Sequence, residues 1–452
     1  MAELRSLVRL AVPLALAQVG MVLMGFVDVA IVGRLGPVPL AAVGLGNGIF
    51  FAVSVLGIGA MMGLDPLVSQ ALGAGDSRRA RAALWQGVWL ALCGGTVLAL
   101  PIVAASFLLE TAGVVPEVAR EARLYALVRL PALIPMLLFS AQKAYLQANR
   151  VTRVLVVSIV VANVANFGLD WVLVLGVPGV VPSLGAAGAA LATAGCTFLQ
   201  VAILGVGIRL VDVPGGARAV SKRPEPAKMW RALRVGLPVG LQMGAEVGVF
   251  ALAGLLAARM GAELAAAHQV ALSLASMSFC AAVGVGSAGS VMVGHAVGAG
   301  DHLAARRAGV ASVQAGTAVM SAGALAFLLV PGPLVRMLTD QPEVIRIAVP
   351  LLAVAAAFQL SDGLQAVGAG ILRGAGDTRF AFVANLLGHW LVGLPVALLC
   401  ASELVGLGLV GIWWGLAAGL TVVAAALLVR FFALTKRPMA RIIDHGEPVE
   451  GR

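Results

Sequence analysis

Two nine-residue stretches decide the architecture: Val68–Asp76, VSQALGAGD, and Val293–Asp301, VGHAVGAGD. The offset that carries one onto the other also superposes Arg9 on Arg234, Pro13 on Pro238, Arg34 on Arg259, Gly36 on Gly261 and Arg81 on Arg306. A single register held from Arg9 to Arg81 marks an internal duplication, with a period of about half the 452-residue chain. Two similar lobes follow, each with this stretch at the cytoplasmic end of its second helix.

Working outward, the composition says what each copy contains. The chain is 60% apolar and 12% charged, against roughly one-quarter charged in a soluble domain. Its 56 Gly and 21 Pro lie among long apolar runs, which suits membrane helices, because these tolerate both residues. So much hydrophobic surface excludes a disordered or fibrous chain. A helix needs about 20 mostly apolar residues to cross the hydrocarbon core. Runs free of Asp, Glu, Lys and Arg cover 35–64, 82–109, 308–335, 380–402 and 404–429. Those at 171–208 and 264–300 are longer, and the Pro-Gly-rich 176–186 divides the first between two helices. Segments 7–34, 117–145, 154–176, 232–259 and 344–372 also read as spans, each with one or more ionisable residues.

The expected fold is therefore an all-α integral membrane protein, with twelve transmembrane helices in two parallel-repeat six-helix lobes. Six helices per copy is an even number, so both insert the same way up, related by an axis along the membrane normal. The expected boundaries are an N-lobe at 1–210, a basic, Pro-rich cytoplasmic linker at 211–230, a C-lobe at 231–435 and a cytoplasmic tail at 436–452.

The net charge of +10 belongs to topology. Basic residues lie between apolar runs and not on the face of a soluble body, which excludes a nucleic-acid partner. With a cytoplasmic N-terminus, 24 of the 31 Lys and Arg fall inside, leaving Arg34, Arg120, Arg123, Arg129, Arg259, Arg336 and Arg346 outside. That asymmetry predicts a multi-pass protein of the cytoplasmic (inner) membrane with both termini cytoplasmic. The first helix has no small-residue cleavage site, runs too long for a signal peptide and is expected to stay. Cys93, Cys196, Cys280 and Cys400 form no C-x-x-C pair and read as packing residues. A monomer is expected.

Carboxylates at mid-membrane cost about 2.5–3.5 kcal/mol each on insertion scales, so each needs a reason. Glu246 lies midway between Arg234 and Arg259 with no charged residue between it and either, which puts it roughly 17 Å from each flank at about 1.5 Å per residue. Asp362 occupies the equally uncharged interval between Arg346 and Arg373 and is also deep. Asp28 sits nearer the outer end of helix one, Asp170 late in helix five beside Asn163 and Asn166, and Asp65 before Pro66 in the inner part of helix two. At the repeat offset, Glu246 falls on Met21, Asp28 on Ala253 and Asp362 on Leu137. The scaffold was duplicated and the acids were not, so Glu246, Asp362 and Asp28 point to a site more than to folding. Asp170 and Asp65 are weaker candidates, since an Asp near a helix end can satisfy local backbone donors. His389 and His268 could relay protons, although one His on an apolar helix is more often a structural hydrogen-bonder.

At these residues the chain resembles the multidrug and toxic compound extrusion (MATE) family over nearly its whole length. The matching pieces are Met24–Gly33 (MGFVDVAIVG), Leu64–Gly75 (LDPLVSQALGAG), Gly236–Glu246 (GLPVGLQMGAE), Ala265–Ser273 (AAAHQVALS) and Phe358–Thr378 (FQLSDGLQAVGAGILRGAGDT). The resemblance implies two six-helix lobes and export of cationic or amphiphilic organic compounds in exchange for Na⁺ or H⁺, with no other cofactor. A helix-seven Glu with a helix-ten Asp is similar to the NorM-type branch, whose cation site maps onto Glu246 and Asp362, the metal ligands if Na⁺ is the coupling ion. Asp28, Asn166 and Asp170 resemble the N-lobe cluster of the DinF-type branch. Asp170, Asn166, Asp65 and His389 form a secondary cation or substrate set.

The expected logic is competition for negative charge: ionised carboxylates attract a lipophilic cation, and Na⁺ or H⁺ displaces it. A dry pocket favours a bound proton and an oxygen-rich one with Asn side chains favours Na⁺. Met and aliphatic walls would hold varied drugs, since rings make up only 5% of the chain. The runner-up is a flippase for a lipid-linked precursor, which needs a larger, more basic cavity. An enzyme is disfavoured: neither H-E-x-x-H nor G-x-S-x-G occurs.

Overall fold

The computed structural model describes residues 2–212 and 220–442. Residues 213–219 of the expected linker and 443–452 of the expected tail lie outside the described residues. Within them are twelve helices long and apolar enough to cross a membrane. Spans 1–6 are Glu3–Leu35, Pro37–Gly73, Ser77–Phe107, Pro116–Ala148, Arg153–Val174 and Gly185–Leu210. Spans 7–12 are Pro226–Met260, Ala262–Ala299, His302–Leu329, Pro342–Ala375, Thr378–Ala401 and Gly408–Leu434. Among the described residues no strand forms; a single bridge joins Val177 to Val181 in the Pro-Gly segment between spans 5 and 6.

The duplicated stretch is a helix stop joined to a helix start. Gly75 and Gly300 both adopt φ +78°, the left-handed conformation that ends a helix and that glycine takes at least cost. The next residue closes the turn: Asp76 N–H donates to Ala71 O at 2.9 Å, Asp301 N–H to Ala296 O at 3.0 Å. Each aspartate then caps the following span, Asp76 Oδ1 accepting from Arg79 N at 2.8 Å and Asp301 Oδ1 from Ala304 N at 2.7 Å. Leu372–Phe380 repeats the device, with Gly376 at φ +92° and Asp377 accepting from Phe380 N. Such caps satisfy orphan amides at the helix start and contribute about 1 kcal/mol each.

The chain divides into two compact units: Leu16–Leu72 with Asp76–Gly240, and Leu241–Arg452 with Met1–Ala15 and Gly73–Gly75. Spans 1 and 7 are each split between units, after Ala15 and after Gly240, positions that the repeat offset again superposes. In both helices a proline, Pro13 or Pro238, lies just before the break, where it removes a backbone hydrogen bond and bends the helix.

In the unit that holds span 4, the strap before span 7 is tied to span 3. Trp89 Nε1 donates to Lys222 O at 2.8 Å, Gln86 Nε2 donates to Arg223 O at 3.0 Å, and Gln86 Oε1 accepts from Glu225 N at 2.8 Å. In the other unit, spans 8 and 10 approach so closely that a methyl at Gly370 would run into the Gly286 carbonyl. Span 11 is wound as a π-helix over Leu387–Gly393. The wider turn fits because glycine faces it from span 12: a Cβ on Gly419 would lie 2.9 Å from Gly388 O and 3.0 Å from Gly393 Cα.

Candidate functional site

Each unit buries carboxylates, and the two settings differ. In the unit of spans 8–12, Glu246 on span 7 and Asp362 on span 10 lie within electrostatic reach of each other. Asp362 is buried and Glu246 half-buried. Two amides converge on Glu246: Gln365 Nε2 donates to its Oε2 at 3.2 Å and Asn385 Nδ2 at 3.4 Å. The other ends of both amides, Gln365 Oε1 and Asn385 Oδ1, are buried without a donor. Helical geometry explains the convergence, because Asp362 and Gln365 stand at i and i+3 and share a face of span 10.

His389 follows Asn385 by one turn and lies on the π-helical segment. Its Nδ1 is 3.1 Å from Asn385 O; a carbonyl can only accept, so Nδ1 carries the hydrogen. Nε2 is buried without a partner. π-turns within α-helices concentrate at functional positions. His268 lies elsewhere, in an aromatic group. Trp413 Nε1 donates to its Nδ1 at 3.2 Å, and Phe358 and Phe250 extend the ring stack beyond Trp413. That is the setting of a packing histidine.

In the unit of spans 2–6, Asp28 on span 1 and Asp170 on span 5 bring their carboxyls within hydrogen-bond reach of each other. Both are buried. Asp28 Oδ2 accepts from Thr193 Oγ1 of span 6 at 2.7 Å. Asp28 Oδ1 and both oxygens of Asp170 have no donor, and neither end of the Asn166 amide has a partner. Two acceptors facing across an apolar interior need a positive charge between them. Asp65 belongs to neither group. Its Oδ1 accepts from Gln147 Nε2 of span 4 at 2.9 Å, in the first turn of Leu64–Gly73, where span 2 restarts after a break at Met62–Gly63. Among the described residues no three His, Cys, Asp or Glu side chains cluster as a metal site, and all four cysteines are free.

A family model, MatE, matches residues 13–172 and 238–399. The chain belongs to the MatE family. The two matched segments begin at the paired prolines Pro13 and Pro238 and so restate the duplication. It is 35% identical to the "Probable multidrug resistance protein NorM" of Bradyrhizobium diazoefficiens, covering 96% of this chain and 94% of that one. It is 36% identical to the "Multidrug resistance protein NorM" of Burkholderia vietnamiensis, again over 96% and 94%. Among solved structures it superposes on the eukaryotic MATE transporter AtDTX14 with TM-score 0.84 at 24% identity, over 95% and 96% of the two chains. A MATE transporter in the outward-facing conformation gives 0.85 at 20%, over 96% and 97%. The MatE chain is thus a multi-pass membrane protein of this fold, and its relatives are transporters, not enzymes.

Several residues of the site carry no signal in the sequence. Gln365, Asn385 and Thr193 are neutral, and nothing in their spacing singles them out. Arg129, counted among the outer basic residues, lies within the helix of span 4, which runs from Pro116 to Ala148.

Proposed function

We propose that this MatE protein is a secondary antiporter that exports cationic or amphiphilic organic compounds by alternating access, in exchange for Na⁺ or H⁺. The relatives' name, multidrug resistance protein, supports the substrate class. One observation supports the coupling: Glu246 and Asp362 lie within electrostatic reach of each other, and the two amides that bond Glu246 keep their own oxygens free of donors. Two carboxylates with two amides beside them supply oxygen donors of the kind a small hard cation takes. The same negative charge attracts an organic cation, so ion and cargo exclude each other. Asp28 and Asp170, near Asn166, form a second carboxyl pair that holds one positive charge, a proton or Na⁺. His389, with an unpartnered ring nitrogen one turn from Asn385, is the proposed relay to the first site. The gradient is adequate, since one charge moving down about 100 mV yields about 2.3 kcal/mol and a tenfold substrate gradient costs about 1.4 kcal/mol.

Orientation follows the same reading: both termini cytoplasmic in the inner membrane, the chain working as a monomer. Efflux of ethidium from proteoliposomes, with an imposed Na⁺ gradient or with a pH gradient collapsed by a protonophore, tests the proposal and identifies the ion. Export driven by neither gradient would overturn it.

A further inference from the structure

A permanent cation inside a span demands a reason as much as a carboxylate does, and Arg129 does not take part in the exchange described above. Its Nη1 donates to Tyr125 Oη and to Asn47 Oδ1, both at 2.6 Å. Its guanidinium lies 4.7 Å from the centre of the Phe50 ring and 5.7 Å from that of Tyr125. Every one of these partners is neutral, and among the described residues no carboxylate pairs with it. Nη1 is thus committed, while the Nε–Nη2 edge has no hydrogen-bond partner among the described residues. That edge of a guanidinium matches the two oxygens of a carboxylate. Three neighbours already fix the group, so little order is lost when a ligand arrives.

The surroundings are open. Asn47 shares one face of span 2 with Gly44, Gly48 and Phe51, all exposed, and a Cβ at Gly44 or Gly48 would meet nothing within 4 Å. Hydrocarbon disfavours both an Asn and an Arg, and we read this face as one that opens on water or solute. Tyr125, which holds Arg129, packs in one buried cluster with Ile31 and Val32 of span 1 and Val174 of span 5, the helices that carry Asp28 and Asp170. At the repeat offset, Arg129 falls on Val354 and Asn47 on Leu272, so the arrangement belongs to one half alone.

We propose that Arg129, held by Tyr125 and Asn47, is an anion subsite that binds the carboxylate of zwitterionic amphiphilic substrates while their cationic end turns to the Asp28–Asp170 pair. The proposal rests on the export reading and adds a specificity-determining residue to it. Two dyes separate the terms: rhodamine 110, which carries a free carboxylate, and rhodamine 123, its methyl ester. Binding to the purified full-length protein is read by fluorescence anisotropy, and transport in proteoliposomes. Arg129→Gln is expected to weaken rhodamine 110 binding at least tenfold and to leave rhodamine 123 within twofold. Arg129→Lys, which keeps the charge without the fork, falls between. Should Arg129→Gln melt well below wild type, Asn47→Asp gives the same selective loss by supplying Arg129 with a resident carboxylate. Equal loss for both dyes, or undiminished rhodamine 110 binding, overturns the subsite. If wild type exports rhodamine 123 but neither binds nor carries rhodamine 110, the subsite falls and the export reading stands. If wild type exports neither dye nor ethidium, the export reading falls, and the binding comparison still decides the subsite.

Discussion

Spans 1 and 7 are equivalent helices of the repeat, hold prolines at equivalent positions and pass between units at equivalent residues, yet they carry their acids at different levels. Span 1 presents Asp28 to Asp170 and Thr193; span 7 presents Glu246 to Asp362, Gln365 and Asn385. Duplication preserved what a lobe needs to fold: the Gly-Asp turns, the aspartate caps and the paired prolines. It did not preserve the charges, because a buried carboxylate opposes folding and persists only where function requires it. The amides differ too. In the second half they donate to the acid through their nitrogens, whereas in the first half Asn166 has no partner at either end.

If the halves differ as proposed, the largest effects arise in the second. Glu246→Gln and Asp362→Asn should each reduce ion-driven ethidium efflux at least tenfold with normal membrane insertion; normal efflux by either variant removes that residue from coupling. In the first half Asp28→Asn should act several-fold and unevenly across substrates, and Thr193→Val, which deletes the donor to Asp28, should move the same substrates in the same direction by less. A uniform effect across substrates would make Asp28 a packing residue. Scaffold changes sharpen the contrast from the other side. Gly370→Val forces apart spans 8 and 10 and should cost about 1–3 kcal/mol, as overpacking does, seen as a lower melting temperature in detergent. Smallest are the caps: Asp301→Ala and Asp76→Ala should each lose about 1 kcal/mol, by equal amounts, since the two turns share one geometry. A marked inequality would mean that the turns have diverged as the acids have.

The parts that duplicate were legible in the sequence. A repeat spanning half the chain, apolar runs of spanning length and Gly-Asp stops gave twelve helices in two copies. The isolated acids were equally plain, because a charge in an apolar run stands out. Gln365 and Asn385 were not, since a neutral amide is tolerated on many helix faces and only the meeting of spans 7, 10 and 11 shows that theirs is aimed at Glu246. The π-helical turn that carries His389 leaves no mark in LGHWLVG.

The central claim, that one set of carboxylates serves ion and cargo in turn, is tested most directly by equilibrium binding of ethidium to the purified protein while Na⁺ and pH are varied separately. The account predicts that ethidium affinity falls in proportion as the coupling ion, Na⁺ or H⁺, is raised, and that Glu246→Gln abolishes this dependence. Ethidium affinity indifferent to both Na⁺ and pH in the wild-type protein would contradict it.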